Sequence, residues 1–141
     1  MASVSVDIAQ TLNITCRRGD TFVLDVTITN SSGAALDVSG YGGVLLVKSQ
    51  DGATAILDFY TNIITNPTNR TVDDTYNAST DGLITMAHGG GSNNVIRFSC
   101  SAALMAALTP GTYSYDFAVQ YDASNIITTY LKGAFIVNAD I

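Results

Sequence analysis

The chain has 141 residues, of which 47% are hydrophobic and only 13% charged, against about 25% charged in an ordinary soluble domain. A single domain of this size buries roughly 68–70% of its unfolded surface without disulfides or metals, and a chain this apolar is not disordered. The net charge is −6 and the six bases are scattered apart from Arg17-Arg18, so no basic stripe exists to neutralise phosphates, and neither nucleic acid nor an anionic membrane is an expected partner.

In chain order, Val4, Val6 and Ile8 fall on one parity with Ser3, Ser5 and Asp7 on the other, which predicts a strand or an extended arm over residues 1–10. A run from Leu12 to Cys16 is halted by Arg17-Arg18-Gly19-Asp20. Phe22, Leu24, Val26 and Ile28 then alternate with polar residues as the cleanest half-buried strand of the chain. Asn30-Ser31-Ser32-Gly33 has turn chemistry. Val44 to Lys48 and Ala53 to Phe59 flank Asp51-Gly52, a strong hairpin signal. From 61 to 80 the chain reads as a long loop with few apolar anchors, and loops of that length tend to carry contacts. Leu83 to Met86 and Val95 to Phe98 resume the strands, on either side of Gly89-Gly90-Gly91. Ser101 to Leu108 is the one stretch with helical propensity. Ser99 or Ser101 is its candidate N-cap, and Thr109-Pro110-Gly111 is its stop. Thr112 to Tyr121, Ile126 to Leu131 and Ala134 to Val137 complete the series. Tyr113 or Tyr115 is either a tyrosine tucked into the Pro110-Gly111 corner or a plain core residue.

The expectation is an all-β protein. It is an immunoglobulin-like antiparallel β-sandwich with one short helix near 101–108, an N-terminal arm over 1–10 and a single domain over 11–141. All twelve acids are Asp, with no Glu, and the composition is rich in Thr, Ser, Val, Asn and Gly, which suits strands and turns. The longest apolar run, Ala102 to Leu108, is far short of the ~20 residues of a bilayer span. The first base is Arg17, so the start does not read as a secretory signal. Cys16 and Cys100 read as free thiols of a reducing compartment, with a bridge between them as the alternative.

The order of pieces carries a resemblance. Arg18-Gly19-Asp20-Thr21-Phe22, the Asn30-Ser31-Ser32-Gly33 turn, Leu36-Asp37-Val38-Ser39-Gly40-Tyr41, Leu108-Thr109-Pro110-Gly111-Thr112-Tyr113-Ser114-Tyr115-Asp116-Phe117 and Gly133-Ala134-Phe135-Ile136-Val137 together resemble small phage virion proteins. They are similar to the immunoglobulin-like N-terminal domain of the phage baseplate upper protein family. The likeness covers about residues 12–50 and 100–138 and rests on turn and core residues, while 60–95 departs from it. It implies a structural module that binds other virion proteins, with no catalytic residues to transfer. Members of that family continue into further modules, whereas this sequence stops at Asp140-Ile141. The expectation drawn is a capsid decoration (cement) protein on the major capsid protein, located in the virion after assembly in the host cytoplasm, with homo-oligomers allowed. A tail or baseplate attachment protein and a carbohydrate-binding adhesive module are the alternatives.

The candidate contact residues are Val4, Val6 and Ile8 of the arm, which can add a strand to a neighbour's sheet or complete this domain's own, and Arg70 and Tyr76 of the long loop. No enzyme is expected. His88 is the sole histidine, no Gly-x-Ser-x-Gly elbow is present, and paired Asp residues give no specific signal. Asp73-Asp74, Asn77 and Asp81 lack the spacing and the bidentate Glu of a calcium loop. No cofactor or metal is expected. Arg18-Gly19-Asp20 spells an attachment tripeptide, but a turn launching Phe22 explains it.

Overall fold

A computed structural model describes residues 2–5, 10–30, 32–61, 76–88, 91–120 and 127–139. They form ten strands and one helix: β1 (Ala2–Ser5), β2 (Gln10–Thr11), β3 (Ile14–Arg17), β4 (Phe22–Thr29), β5 (Gly42–Lys48), β6 (Ala55–Thr61), β7 (Gly82–Thr85), β8 (Val95–Cys100), α1 (Ala102–Ala106), β9 (Gly111–Gln120) and β10 (Ile127–Asn138). The strands join in one curled sheet of order β1-β4-β8-β7-β6-β5-β9-β10-β2, with β3 also on β10.

The alternation that predicts the strands also folds the sheet over on itself. Phe22, Val26 and Ile28 of β4 are buried, as are Tyr115, Phe117 and Val119 of β9. Across four neighbouring strands Phe59, Leu45, Phe117 and Leu131 stand in register, and all are buried. Strands that share no hydrogen bonds meet through these inward faces. Phe98 of β8 lies 4.8 Å from Phe117 of β9, ring edge to face, and Phe22 of β4 lies 5.8 Å from Phe135 of β10. Aromatic pairs in this arrangement add about 0.5–1.5 kcal/mol each beyond burial. The curl therefore packs β7-β8-β4 against β6-β5-β9-β10, which is the strand order of an immunoglobulin sandwich with one extra strand beside β5.

Local chemistry sets the turns. At the β5–β6 hairpin Gly52 takes φ +75°, and Asp51 Oδ1 accepts from the Ala53 N–H at 3.0 Å. Ser101 is the N-cap of α1, its hydroxyl accepting from the Leu104 N–H at 3.2 Å. The helix is shorter than the eight residues expected, and Met105 anchors it in the core. Between α1 and β9, Tyr113 Oη donates to the Thr109 carbonyl across the Pro110-Gly111 corner. That is the tyrosine-corner arrangement, while Tyr115 is the buried core tyrosine.

Two features depart from the sequence reading. The sheet is mixed rather than purely antiparallel, because β1 runs parallel to β4, β2 and β3 run parallel to β10, and β7 runs parallel to β6. Parallel partners lie far apart in sequence and carry no hairpin signal. The segments expected as two strands on either side of Gly133 are one strand of twelve residues. Gly133 passes through it because the chain at Leu12 crosses directly over it, where a Cβ would stand 2.5 Å from the Leu12 carbonyl oxygen.

Candidate interaction surface

The N-terminal segment is the first candidate. Over residues 2–5 it lies on the edge of this domain's own sheet, with Val4 opposite Ile28 and Ser5 opposite Thr29, and it also approaches β10 of the other layer. Val6, Ile8 and Arg70 lie outside the described residues. From β2 onward the chain docks on β10 through a cluster around Leu12 and Asn13. The Leu12 N–H donates to the Lys132 carbonyl at 2.9 Å, Asn13 Oδ1 accepts from the Ala134 N–H at 3.1 Å, and Tyr115 Oη donates to the Leu12 carbonyl at 2.5 Å. Burial pushes the Tyr115 phenol well above its ordinary range.

Beside this cluster a hollow of about 320 Å³ lies between β3 and β4, with residues 12–17 on one wall and 20–24 on the other. Val23, half of whose surface is exposed, stands on its rim. Cys16 and Cys100 are both free thiols. Burial is the main cause raising each to about 11, with the neighbouring Cys100 adding to the effect at Cys16, so both are poor nucleophiles at neutral pH. Arg18 of the attachment-like tripeptide is committed to the fold, its Nε donating to the Leu108 carbonyl at 3.1 Å.

Tyr76 is half-buried and lines a polar hollow of about 600 Å³ together with Tyr60, Asn77 and Asp81. Several polar groups in and beside it bond to close neighbours in sequence. Asp81 Oδ2 accepts from the Asn77 N–H at 2.9 Å, Asp81 Oδ1 from the Thr80 hydroxyl at 3.2 Å, and Asp58 from the Tyr60 hydroxyl at 3.2 Å. Among the described residues no group of three His, Cys, Asp or Glu is placed to hold a metal, and no helix is long and apolar enough to cross a membrane. The His88 N–H donates to the Val95 carbonyl at 2.7 Å, a structural bond of the β7–β8 connection.

Sequence reading missed the Asp25–Arg97 pair and the rim residue Val23. Arg97 on β8 and Asp25 on β4 face each other in register and form a bidentate bridge of 2.7 and 2.9 Å. The Arg97 hydrogen bond holds the Asp25 carboxyl below its usual range. The two are 72 positions apart, so no local pattern announces them.

No family model matches this chain, and no curated protein does. Among solved structures it is similar to the N-terminal domain of phage TP901-1 ORF48, with a TM-score of 0.53 and 10% identity over 96% of this chain and 94% of that one. A family 123 glycoside hydrolase from Clostridium perfringens matches at a TM-score of 0.33 and 14% identity, over 93% of this chain and 23% of that one, a level that carries no argument about hydrolysis. What the first likeness establishes is a fold shared, almost from end to end, with a domain of a phage protein.

Proposed function

We propose that this chain is a structural component of a bacteriophage virion, a β-sandwich that attaches to neighbouring virion proteins and catalyses nothing. The observation that carries the reading is the shared fold with a phage domain over nearly the full length of both chains. The resemblance of its turn and core motifs to the baseplate upper protein family supports it. An edge strand without a single charged residue, Ala2–Ser5, suits attachment by strand pairing.

Within the particle the acidic body and N-terminal strand fit a decoration or cement subunit on the capsid, and a tail or baseplate position is the rival. Mass spectrometry of purified particles, separated into heads and tails, tests both levels. The chain is expected in stoichiometric amount in the head fraction. Recovery with tails moves it to the rival position, and absence from particles ends the virion reading. Deleting residues 2–10 is expected to leave a folded domain, checked by circular dichroism, with reduced occupancy on particles.

A further inference from the structure

Asp51-Gly52 and Asp81-Gly82 are the two Asp-Gly pairs of the sequence. Such a pair is prone to isoaspartyl rearrangement, because glycine sets no side chain beside its own nitrogen. The Gly nitrogen attacks the carbon of the Asp side-chain carboxyl, the carboxyl OH and the amide hydrogen leave as water, and a succinimide ring closes. Water then reopens the ring at the main-chain carbonyl, so the backbone runs through the side chain and is one methylene longer. No atom is gained or lost overall, and no other reactant enters. The step needs a protonated carboxyl, a Gly nitrogen released from hydrogen bonding, and rotation of the one onto the other.

At the β5–β6 hairpin one residue opposes all three requirements. The Gly52 N–H donates to the Ser49 carbonyl at 2.7 Å. Asp51 Oδ1 accepts from the Ser49 hydroxyl at 2.5 Å and from the Ala53 N–H at 3.0 Å. The same hydroxyl accepts from the Thr54 N–H at 3.0 Å, and the Ser49 N–H donates to the Thr54 carbonyl at 2.8 Å, so Ser49 is itself held in place. Asp51 and Gly52 are both exposed, which leaves hydrogen bonding rather than exclusion of water as the restraint. The Ser49 hydroxyl, and after it the Ala53 N–H, hold the Asp51 carboxyl below its usual range, where it stays ionised and is a poor electrophile.

We propose that Ser49 is a guard residue, whose carbonyl and hydroxyl keep the exposed Asp51-Gly52 turn from rearranging to isoaspartate. The carbonyl occupies the attacking nitrogen and the hydroxyl occupies the carboxylate that would be attacked. What the guard preserves is the length of the turn. An added methylene there would strain the Ser49–Thr54 bonds that close the hairpin, whose strands set Leu45 opposite Phe59 in the core. On the function proposed above, a particle outside its host has no means of replacing an aged subunit. That significance rests on the virion reading, whereas the guard does not.

The full chain, its Ser49→Ala and Ser49→Thr variants, and the capped hexapeptide Ser-Gln-Asp-Gly-Ala-Thr are incubated for weeks at neutral pH. Isoaspartate is counted by peptide mapping, in which the isomeric peptide elutes apart from its parent. The wild type is expected to rearrange at Asp51 about tenfold or more slowly than the hexapeptide, the equivalent of one hydrogen bond to a charged group. Ser49→Ala is expected to speed Asp51 about tenfold, while Ser49→Thr restores the hydroxyl and the slow rate. Asp81 is the internal control. Its carboxylate is held by Asn77 and Thr80, so its rate is expected to stay the same in all three proteins, whereas a general loosening of the fold would raise both sites. A wild-type rate equal to that of the hexapeptide, no acceleration in Ser49→Ala, an equal rise at Asp81, or a Ser49→Thr as fast as Ser49→Ala overturns the proposal. The incubation involves no particle, so its failure leaves the virion assignment standing, and absence of the chain from particles leaves the guard standing.

Discussion

Two tyrosines on one strand make the same kind of hydrogen bond in different surroundings, and the difference fixes what each hydroxyl contributes. Tyr115 is 4% exposed and donates to the Leu12 carbonyl 103 positions away. Tyr113 is only partly buried and donates to Thr109, four positions away, at the surface. In Tyr115→Phe the Leu12 carbonyl loses its partner at a part-buried site beside the buried ring, so the cost approaches that of an orphaned acceptor, about 1.5–3 kcal/mol. In Tyr113→Phe water takes over the Thr109 carbonyl, and the cost is under about 1 kcal/mol. For a domain of this size each kcal/mol lowers the thermal midpoint by about 3 °C, so Tyr115→Phe is expected to melt roughly 5–9 °C lower. Urea unfolding measures both variants, with an unchanged slope certifying that stability rather than compactness has moved. The alkaline limb gives a second readout. Because burial raises the Tyr115 phenol above its ordinary value of 10.0, its contribution is complete below pH 10 and is lost as the pH rises beyond it, and Tyr115→Phe is expected to flatten that loss. Equal costs for the two variants, or a cost below about 0.5 kcal/mol for Tyr115→Phe, would refute the reasoning.

Gly133→Ala is expected to destabilise by about 2–4 kcal/mol in the same unfolding assay, since backbone rather than a flexible side chain stands 2.5 Å from the added Cβ and φ is +155°; a loss under about 1 kcal/mol would mean that the Leu12 crossing shifts freely. The Asp25–Arg97 bridge predicts an acid limb. The folded-state value of Asp25 is depressed below 3.8, so its contribution is present above that pH and lost as the pH falls through the folded value. Asp25→Asn should flatten the stability profile below pH 3.8, and an acid limb identical to the wild type would show that the bridge is not formed in solution.

What the sequence made legible was whatever its own neighbourhood decides. The faces of β4 and β9 follow from period-two alternation, the β5–β6 hairpin from Asp51-Gly52, and the start of α1, to within two residues, from Ser99 and Ser101, because in each case the deciding atoms lie within a few residues. The parallel pairings of β1 with β4 and of β3 with β10 were hidden, since no short-range chemistry distinguishes which edge a strand joins or in which direction. Gly133 looked like a break for the same reason. A glycine inside alternating residues signals either a turn or a close approach, and only the position of Leu12, 121 residues earlier, decides between them.

The candidate surface was legible to a lesser degree, and the reason is physical. Attachment through backbone has no side-chain signature: an acceptor edge is defined by the N–H and C=O groups that the rest of the fold leaves unused, and any residue supplies those. The alternating start of the chain pointed to a strand but not to the edge it would join. The structure sets residues 2–5 along Val26–Thr29 of β4, within this domain's own sheet. If attachment runs through backbone, substitutions to proline within residues 2–5 should lower occupancy on purified particles more than substitutions of exposed side chains elsewhere on the sheets.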